Sequence, residues 1–568
     1  MDTNAIRTSL TEIARLLDRR AERLAQQAAQ DGPRWERLRQ LREHLHEYLL
    51  PRVKNLDAPL VATIIGSTGS GKSSLINSLA GQRISPSGVL RPTTRQPVVL
   101  ATGDDAKDLA AGEVLPSLFA RGELEVVTPP VGGRSGVLII DAPDVDSVEA
   151  RNRALAVELL DASDLCIVVT TAARYADHVP WQVLDRARQR GLPLLAVLNR
   201  LPVEQQDAAE IAGDYERMLA RQGFDQSGAN GELEVVPIVE GAIDTSIDGI
   251  RPSAVRPIAA AVDRLATNKR KRQELAQRAL EGALRGLVWR TEAIADDVES
   301  ERVTFERLSG QALDAYRDQT EALRTRVQQG RFLRDEVVRQ WHEFVGTGIV
   351  ARGLASGMER LTTSVRTWLR PPPPAPVDEV EEGAFSDLTA VAMSHAHEAA
   401  RRTATAWSGD PVGSRALAAH PNLWANDDEF AGDLRGNLER WIGEIGALIG
   451  QEGHRRRGFA RAASLSVNVL GVGVMLAAFG TTGGLTGAEF GIAAATAVLN
   501  QRLLETIFGE ATLRALVNRA RDRLLELLDD AMERDRSRFD RALARFDPEA
   551  ELAPQLRTLA GEVAAALR

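Results

Sequence analysis

At 568 residues the chain is too long for one ordinary core, so two or three domains are expected. Hydrophobic residues make up 44% and charged residues 26%, a globular composition that excludes a disordered chain. A formal net charge of −9 gives no global attraction to nucleic acid or anionic lipid, and no nucleic-acid partner is expected.

The order of elements begins with helix. Asp2, Arg7 and Glu12 interrupt the first residues, so no secretory leader is expected. Leu38, Leu41, Leu45 and Leu49 recur at helical spacing, and Pro51 is expected to stop that helix. Residues 1–57 thus read as a helical segment joining a larger bundle. Residues 58–266 alternate β-branched runs with helical stretches, with strands expected at 60–65, 97–100, 124–128, 137–140, 165–170, 194–198 and 233–239. Such alternation implies a sheet covered by helices. The single cysteine, Cys166, excludes an intramolecular disulfide and reads as a buried strand residue between Leu165 and Ile167. The pairs His44/His46 and His395/His397 have a two-residue spacing that turns rings apart on a helix, which argues against metal ligation.

Residues 267–370 return to helix, with Leu280, Leu284 and Leu287 on one stripe, and read as a stalk. The basic run Lys269-Arg270-Lys271-Arg272 opens this stretch and reads as a solvated helix start. Pro371 to Pro374 and the acids after them make 371–384 a linker. Residues 385–568 are helical again, with Leu513, Leu516, Ala520, Leu524 and Leu527 on one face. Helices from both sides of the α/β unit are expected to form one bundle. Between Arg461 and Arg502 about forty residues hold one acid, Glu489, and a glycine-rich break at 480–487. That length allows an apolar hairpin at 462–501, flanked by Arg455, Arg456, Arg457 and Arg461, which would contact membrane lipid. A buried helical hairpin is the alternative, because Asn468 and Glu489 are costly in lipid.

The sharpest local pattern is Gly66-Ser67-Thr68-Gly69-Ser70-Gly71-Lys72-Ser73, followed by Ser74. It lies between a strand-like and a helix-like run, the context a phosphate-binding loop requires. Glycines let the backbone wrap an anion, and the following helix turns its positive dipole end toward it. Lys72 is placed to reach the β- and γ-phosphates and Ser73 to ligate Mg²⁺. The apolar run Val137-Leu138-Ile139-Ile140 ends in Asp141, where a carboxylate meets the metal shell.

Three further segments resemble a family. Arg91-Pro92-Thr93-Thr94-Arg95-Gln96-Pro97 resembles the first switch of dynamins and related large GTPases, a likeness that gives Thr94 a Mg²⁺-contacting hydroxyl, with Thr93 the alternative. Asp141-Ala142-Pro143-Asp144 resembles the Asp-x-Pro-Gly segment of GTPases, with Asp144 in place of glycine. Leu198-Asn199-Arg200-Leu201-Pro202 resembles the guanine-reading segment at Asn199 and approximately at Arg200, with Pro202 where that segment has its acid. The 58–266 region is therefore similar, in motif order, to the bacterial dynamin-like GTPases. The resemblance implies an α/β P-loop GTPase domain inserted in a mainly α-helical stalk. It also implies GTP or another nucleoside triphosphate with Mg²⁺, and self-association through the nucleotide domain or with a paralogous partner. Action in membrane remodelling or tethering follows, from the cytoplasmic face of the cell membrane or by recruitment from the cytoplasm. A nucleotide-gated scaffold with weak or no hydrolysis is the alternative that Asp144 and Pro202 raise. Leu308-Ser309-Gly310-Gln311 resembles the ABC-ATPase signature but lacks one glycine and any strand ending in Asp-Glu after it, and reads as coincidence.

Overall fold

The computed structural model describes residues 2–27, 32–86, 96–130, 133–224, 234–329, 377–423, 427–454 and 509–568. Thr93, Thr94 and Arg95, the proline run and the apolar stretch 462–501 lie outside the described residues. The described chain falls into two compact units, residues 1–300 with 549–568, and residues 301–548.

The first unit holds a seven-stranded sheet among the described residues, ordered β3-β2-β4-β1-β5-β6-β7. The strands are β1 Leu60–Ile65, β2 Val98–Leu100, β3 Glu125–Val127, β4 Val137–Asp141, β5 Leu165–Thr171, β6 Leu194–Leu201 and β7 Glu234–Val239. Strand β1 is parallel to β4 on one side and β5 on the other, and β2 alone runs antiparallel to its neighbour β4. Strands β1, β4 and β5 are buried at every position, as unbroken apolar runs demand when helices cover both faces. The reversal of strand order beside β1 opens a crevice at the carboxyl ends, where ligands bind in open α/β sheets.

Helices α1 Thr3–Gln26, α2 Gly32–His44 and α3 Leu50–Lys54 precede the sheet. Asp2 caps α1, its carboxylate accepting from the amides of Asn4 and Ala5 at 3.1 Å. Pro51 does not end the helical run. A π-helical turn over Leu45–Leu49 comes first, so the proline falls in the opening turn of α3, where its missing N–H costs nothing.

Between the strands stand α4 Lys72–Ala80, α5 Gly103–Ala110, α6 Pro116–Ala120, α7 Ala150–Asp161, α8 His178–Gln189, α9 Gln205–Arg221 and α10 Pro252–Thr267. A single core joins Ile6, Leu10, Ile13 and Leu17 of α1 to Leu138 and Ile140 of β4. It also takes in Leu280, Leu284 and Leu287 of α11 Lys269–Gln329 and Leu556 and Val563 of the final helix Leu552–Ala566. Helices from both sides of the α/β unit share this core, while those of 301–548 form a core of their own. Segment 1–57, the start of 267–370 and the last helix pack on the nucleotide domain, because their apolar stripes face its sheet and one another. Ser9 donates to Glu562 at 2.8 Å, and Arg19 pairs with Glu549 at 2.6 Å. The basic run at the start of α11 is tied down within the unit: Lys269 pairs with Asp57 at 2.9 Å, and Arg272 donates to the carbonyls of Leu265 and Ala266.

Where α2 meets α7, burial pushes the Glu158 carboxyl up to about 7, and nearby Glu43 adds to this while Arg121 opposes it. A raised carboxyl holds its proton better in the folded chain, so its contribution is present below pH 4.5 and lost as pH rises through 7. Glu158→Gln should therefore be about 1–3 kcal/mol more stable than the parent at pH 8 and equal to it near pH 4. Urea unfolding at the two pH values checks this, and a constant difference would refute it.

The second unit is helical throughout its described residues: the later part of α11, then α12 Val377–Ser408, α13 Pro411–Ala419, α14 Asp427–His454 and α15 Glu510–Ala544. The acidic residues from Val377 on, read as linker, are the first turns of α12. Leu513, Leu516, Ala520, Leu524 and Leu527 are buried, as their spacing predicts. Trp407 donates to the Leu308 carbonyl at 3.0 Å and Trp441 to the Ala520 carbonyl at 3.1 Å, so both indoles are buried without a lost hydrogen bond. Leu308 to Gln311 lie inside α11.

Candidate nucleotide-binding site

The phosphate loop leaves β1 at Gly66 and enters α4 at Lys72. A Cβ on Gly66 would stand 2.1 Å from the Val169 carbonyl oxygen, so only glycine lets the loop pass that close to β5. Gly71 has φ +104°, and a Cβ there would meet Asn199 Nδ2 at 2.4 Å. These two positions explain why the sequence spends glycines here.

Lys72, 5% exposed, donates to the carbonyls of Gly66 at 3.0 Å and Ser67 at 3.2 Å, and to the Asp144 carboxylate. Ser73 Oγ donates to Asp141 Oδ2 at 2.6 Å, and Ser85 Oγ donates to the same oxygen at 2.8 Å. The other oxygen, Asp141 Oδ1, is buried with no hydrogen-bond partner. Burial pushes the Asp141 carboxyl up, while the Lys72 ammonium and the two serine hydroxyls pull it back. A buried carboxylate oxygen left over beside a serine hydroxyl fits a hard divalent cation such as Mg²⁺.

Asn199 ends its strand's described ladder with β5 and donates from Nδ2 to the Ser70 carbonyl at 2.9 Å, while its Oδ1 accepts from the Arg200 amide. Arg200 is exposed with φ +56°, and the register of β6 with β7 shifts between Leu198 and Leu201. The structure thus brings residues 66–74, Asp141 and Asn199 to one sheet edge. Arg200 follows in β6 at its register shift, and Thr94 is outside the described residues.

Sequence reasoning missed two participants, Ser85 and Asp146, and gave Arg174 no role. Ser85 is held by Asn77, whose Oδ1 accepts from the amides of Ile84 and Ser85. Asp146 accepts from the Thr68 amide at 2.7 Å and the Thr68 hydroxyl at 2.8 Å. Arg174 pairs with Asp146 at 3.0 Å and donates to the Thr68 carbonyl. No local pattern marks Ser85 or Asp146, because their partners lie far away in sequence.

A sheet whose central strand feeds a phosphate loop, beside a strand ending in a buried acid, defines a P-loop nucleotide-binding domain of the GTPase type. The family model for the dynamin family matches residues 62–123. A relative, the probable transmembrane GTPase FZO-like, chloroplastic, of Arabidopsis thaliana, is 27% identical over 165 residues. That match takes in 29% of this chain and spans only 17% of the relative's length. Over the region of the phosphate loop the chain is thus similar to the dynamin-like GTPases. Two solved chains from work on an oligomerised bacterial dynamin pair, in the sensing and tethering of membranes, align over 93% of this chain and 91% of theirs. Their identity to it is 12%, with TM-scores of 0.40 and 0.39.

Proposed function

We propose that this chain binds GTP with Mg²⁺ at the 66–74 loop and hydrolyses it, as a switch for work on membranes. The observation that carries the reading is Lys72, Ser73 and Asp141 converging at the crevice, with one Asp141 oxygen left for a cation. Loop amides and Lys72 would hold the phosphates. Ser73 and Asp141 would hold Mg²⁺, joined by the Thr94 hydroxyl that the family resemblance supplies. The metal's part is to neutralise charge on the phosphates. Asn199 ties the end of β6 to the phosphate loop, and by the family resemblance Asn199 and Arg200 would meet the base. Phosphate release measured side by side with GTP and ATP tests this; robust turnover with GTP is expected. No turnover with either nucleotide would leave a nucleotide-gated scaffold, the reading that Asp144 on Lys72 favours.

Self-association through the nucleotide domain, or with a paralogous partner, is what the family resemblance implies for this chain. Membrane contact rests on 462–501, since among the described residues no helix is long and apolar enough to cross a membrane. The name of the relative speaks of a transmembrane GTPase and supports the same reading. Deleting 462–501 should cut co-sedimentation with liposomes to background; equal binding by both proteins would remove the lipid argument.

A further inference from the structure

Two acids of one loop occupy donors of the phosphate loop. The stretch between β4 and α7 carries Asp144, whose carboxylate pairs with Lys72, and Asp146, which accepts from the Thr68 amide at 2.7 Å. An ammonium and a backbone N–H are the two kinds of donor that grip phosphate. Lys72 has three protons, and the Gly66 carbonyl, the Ser67 carbonyl and Asp144 accept all three. Asp144 is the one anion among these acceptors. The pair is 5% and 18% exposed, so water screens it little. Arg174 and Thr68 together hold Asp146, which fixes the loop two residues beyond Asp144.

We propose that Asp144 is an internal anion that competes with the terminal phosphate of a nucleoside triphosphate for Lys72, and so sets this protein's preference between di- and triphosphate. The inference rests on the nucleotide reading above. A terminal phosphate and the Asp144 carboxylate cannot both sit on one ammonium without like-charge repulsion at close range. Binding a triphosphate therefore costs the separation of Asp144 from Lys72. A diphosphate meets the ammonium through its β-phosphate alone and brings less charge, so Asp144 weighs less against it. Glycine at this position would leave Lys72 to the phosphates alone.

The test is calorimetric titration of the full chain, in Mg²⁺, with GDP and with a non-hydrolysable GTP analogue. Asp144→Asn keeps the shape and removes the charge, Asp144→Gly removes the side chain, and Asp146→Asn loosens the loop. Both Asp144 variants should bind the triphosphate analogue about tenfold more tightly, with GDP affinity changed by less than about threefold. Asp146→Asn should shift the same ratio in the same direction by a smaller factor. If the parent binds both nucleotides and neither Asp144 variant alters the ratio, the competition is refuted while nucleotide binding stands. A weaker triphosphate affinity in both variants refutes it as well. If no protein binds any nucleotide, the nucleotide reading fails and takes this one with it.

Discussion

Lys72→Ala should abolish detectable phosphate release and weaken GTP binding by at least about 100-fold. Truncating one member of a desolvated charge pair costs about 2–5 kcal/mol, and each 1.4 kcal/mol is a factor of ten. Here the loss has two parts. The ammonium that would hold the phosphates is gone, and Asp144 is left at the phosphate loop without its cation. An unpaired carboxylate there repels the incoming nucleotide. The double substitution Lys72→Ala/Asp144→Asn should therefore regain part of the affinity while turnover stays at background. Additive effects in that cycle would show that the two side chains act independently. GTP affinity unchanged in Lys72→Ala would remove the phosphate loop from the account altogether.

Asp164→Ala should destabilise the first unit by about 3–5 kcal/mol, the usual cost of breaking a buried ion pair from one side. Asp164 is fully buried at the start of β5, and each of its oxygens is used. Oδ1 accepts from the Tyr48 hydroxyl at 2.9 Å, and Oδ2 accepts from the Val61 amide at 2.9 Å and from Arg52. Arg52, 3% exposed, also donates to the carbonyls of Ala58 and Pro59. Removing the carboxylate strands a buried guanidinium. Tyr48→Phe loses one hydrogen bond from the same oxygen pair and should cost only about 1–2 kcal/mol. Hydrogen exchange at β1 and β5 in the full chain reads both, since it reports the first unit apart from the second. A loss below about 1 kcal/mol for Asp164→Ala would mean the pair carries little of the stability.

Much of this could be read before any coordinates. The seven strands of the main sheet were legible, the central ones because a strand buried on both faces is written as an unbroken apolar run, as in Leu60–Ile65 and Leu165–Thr171, whereas the short pair Ile243–Asp244 and Gly249–Ile250 was not. The phosphate loop was legible because its glycines answer local steric demands at Gly66 and Gly71. What stayed hidden depends on distant pairing. Leu280, Leu284 and Leu287 announce a helix face but not which surface it covers, and they cover the nucleotide domain. Arg52 and Asp164 are ordinary charged residues until the fold buries them together. The substitution of Asp144 for glycine was visible, yet that its carboxylate turns onto Lys72 was not. Pro51 misled for a related reason: a proline forbids an ordinary helical turn, but a wider one before it lets the chain stay helical.

The helix Leu552–Ala566 packs with α1 in the same unit as the phosphate loop, although residues 301–548 are made between them. During synthesis the sheet can form early, but Ile6, Leu10 and Ile13 must wait on the ribosome for Leu556 and Val563. Until those residues are made, the apolar stripe of α1 lacks part of the surface that covers it.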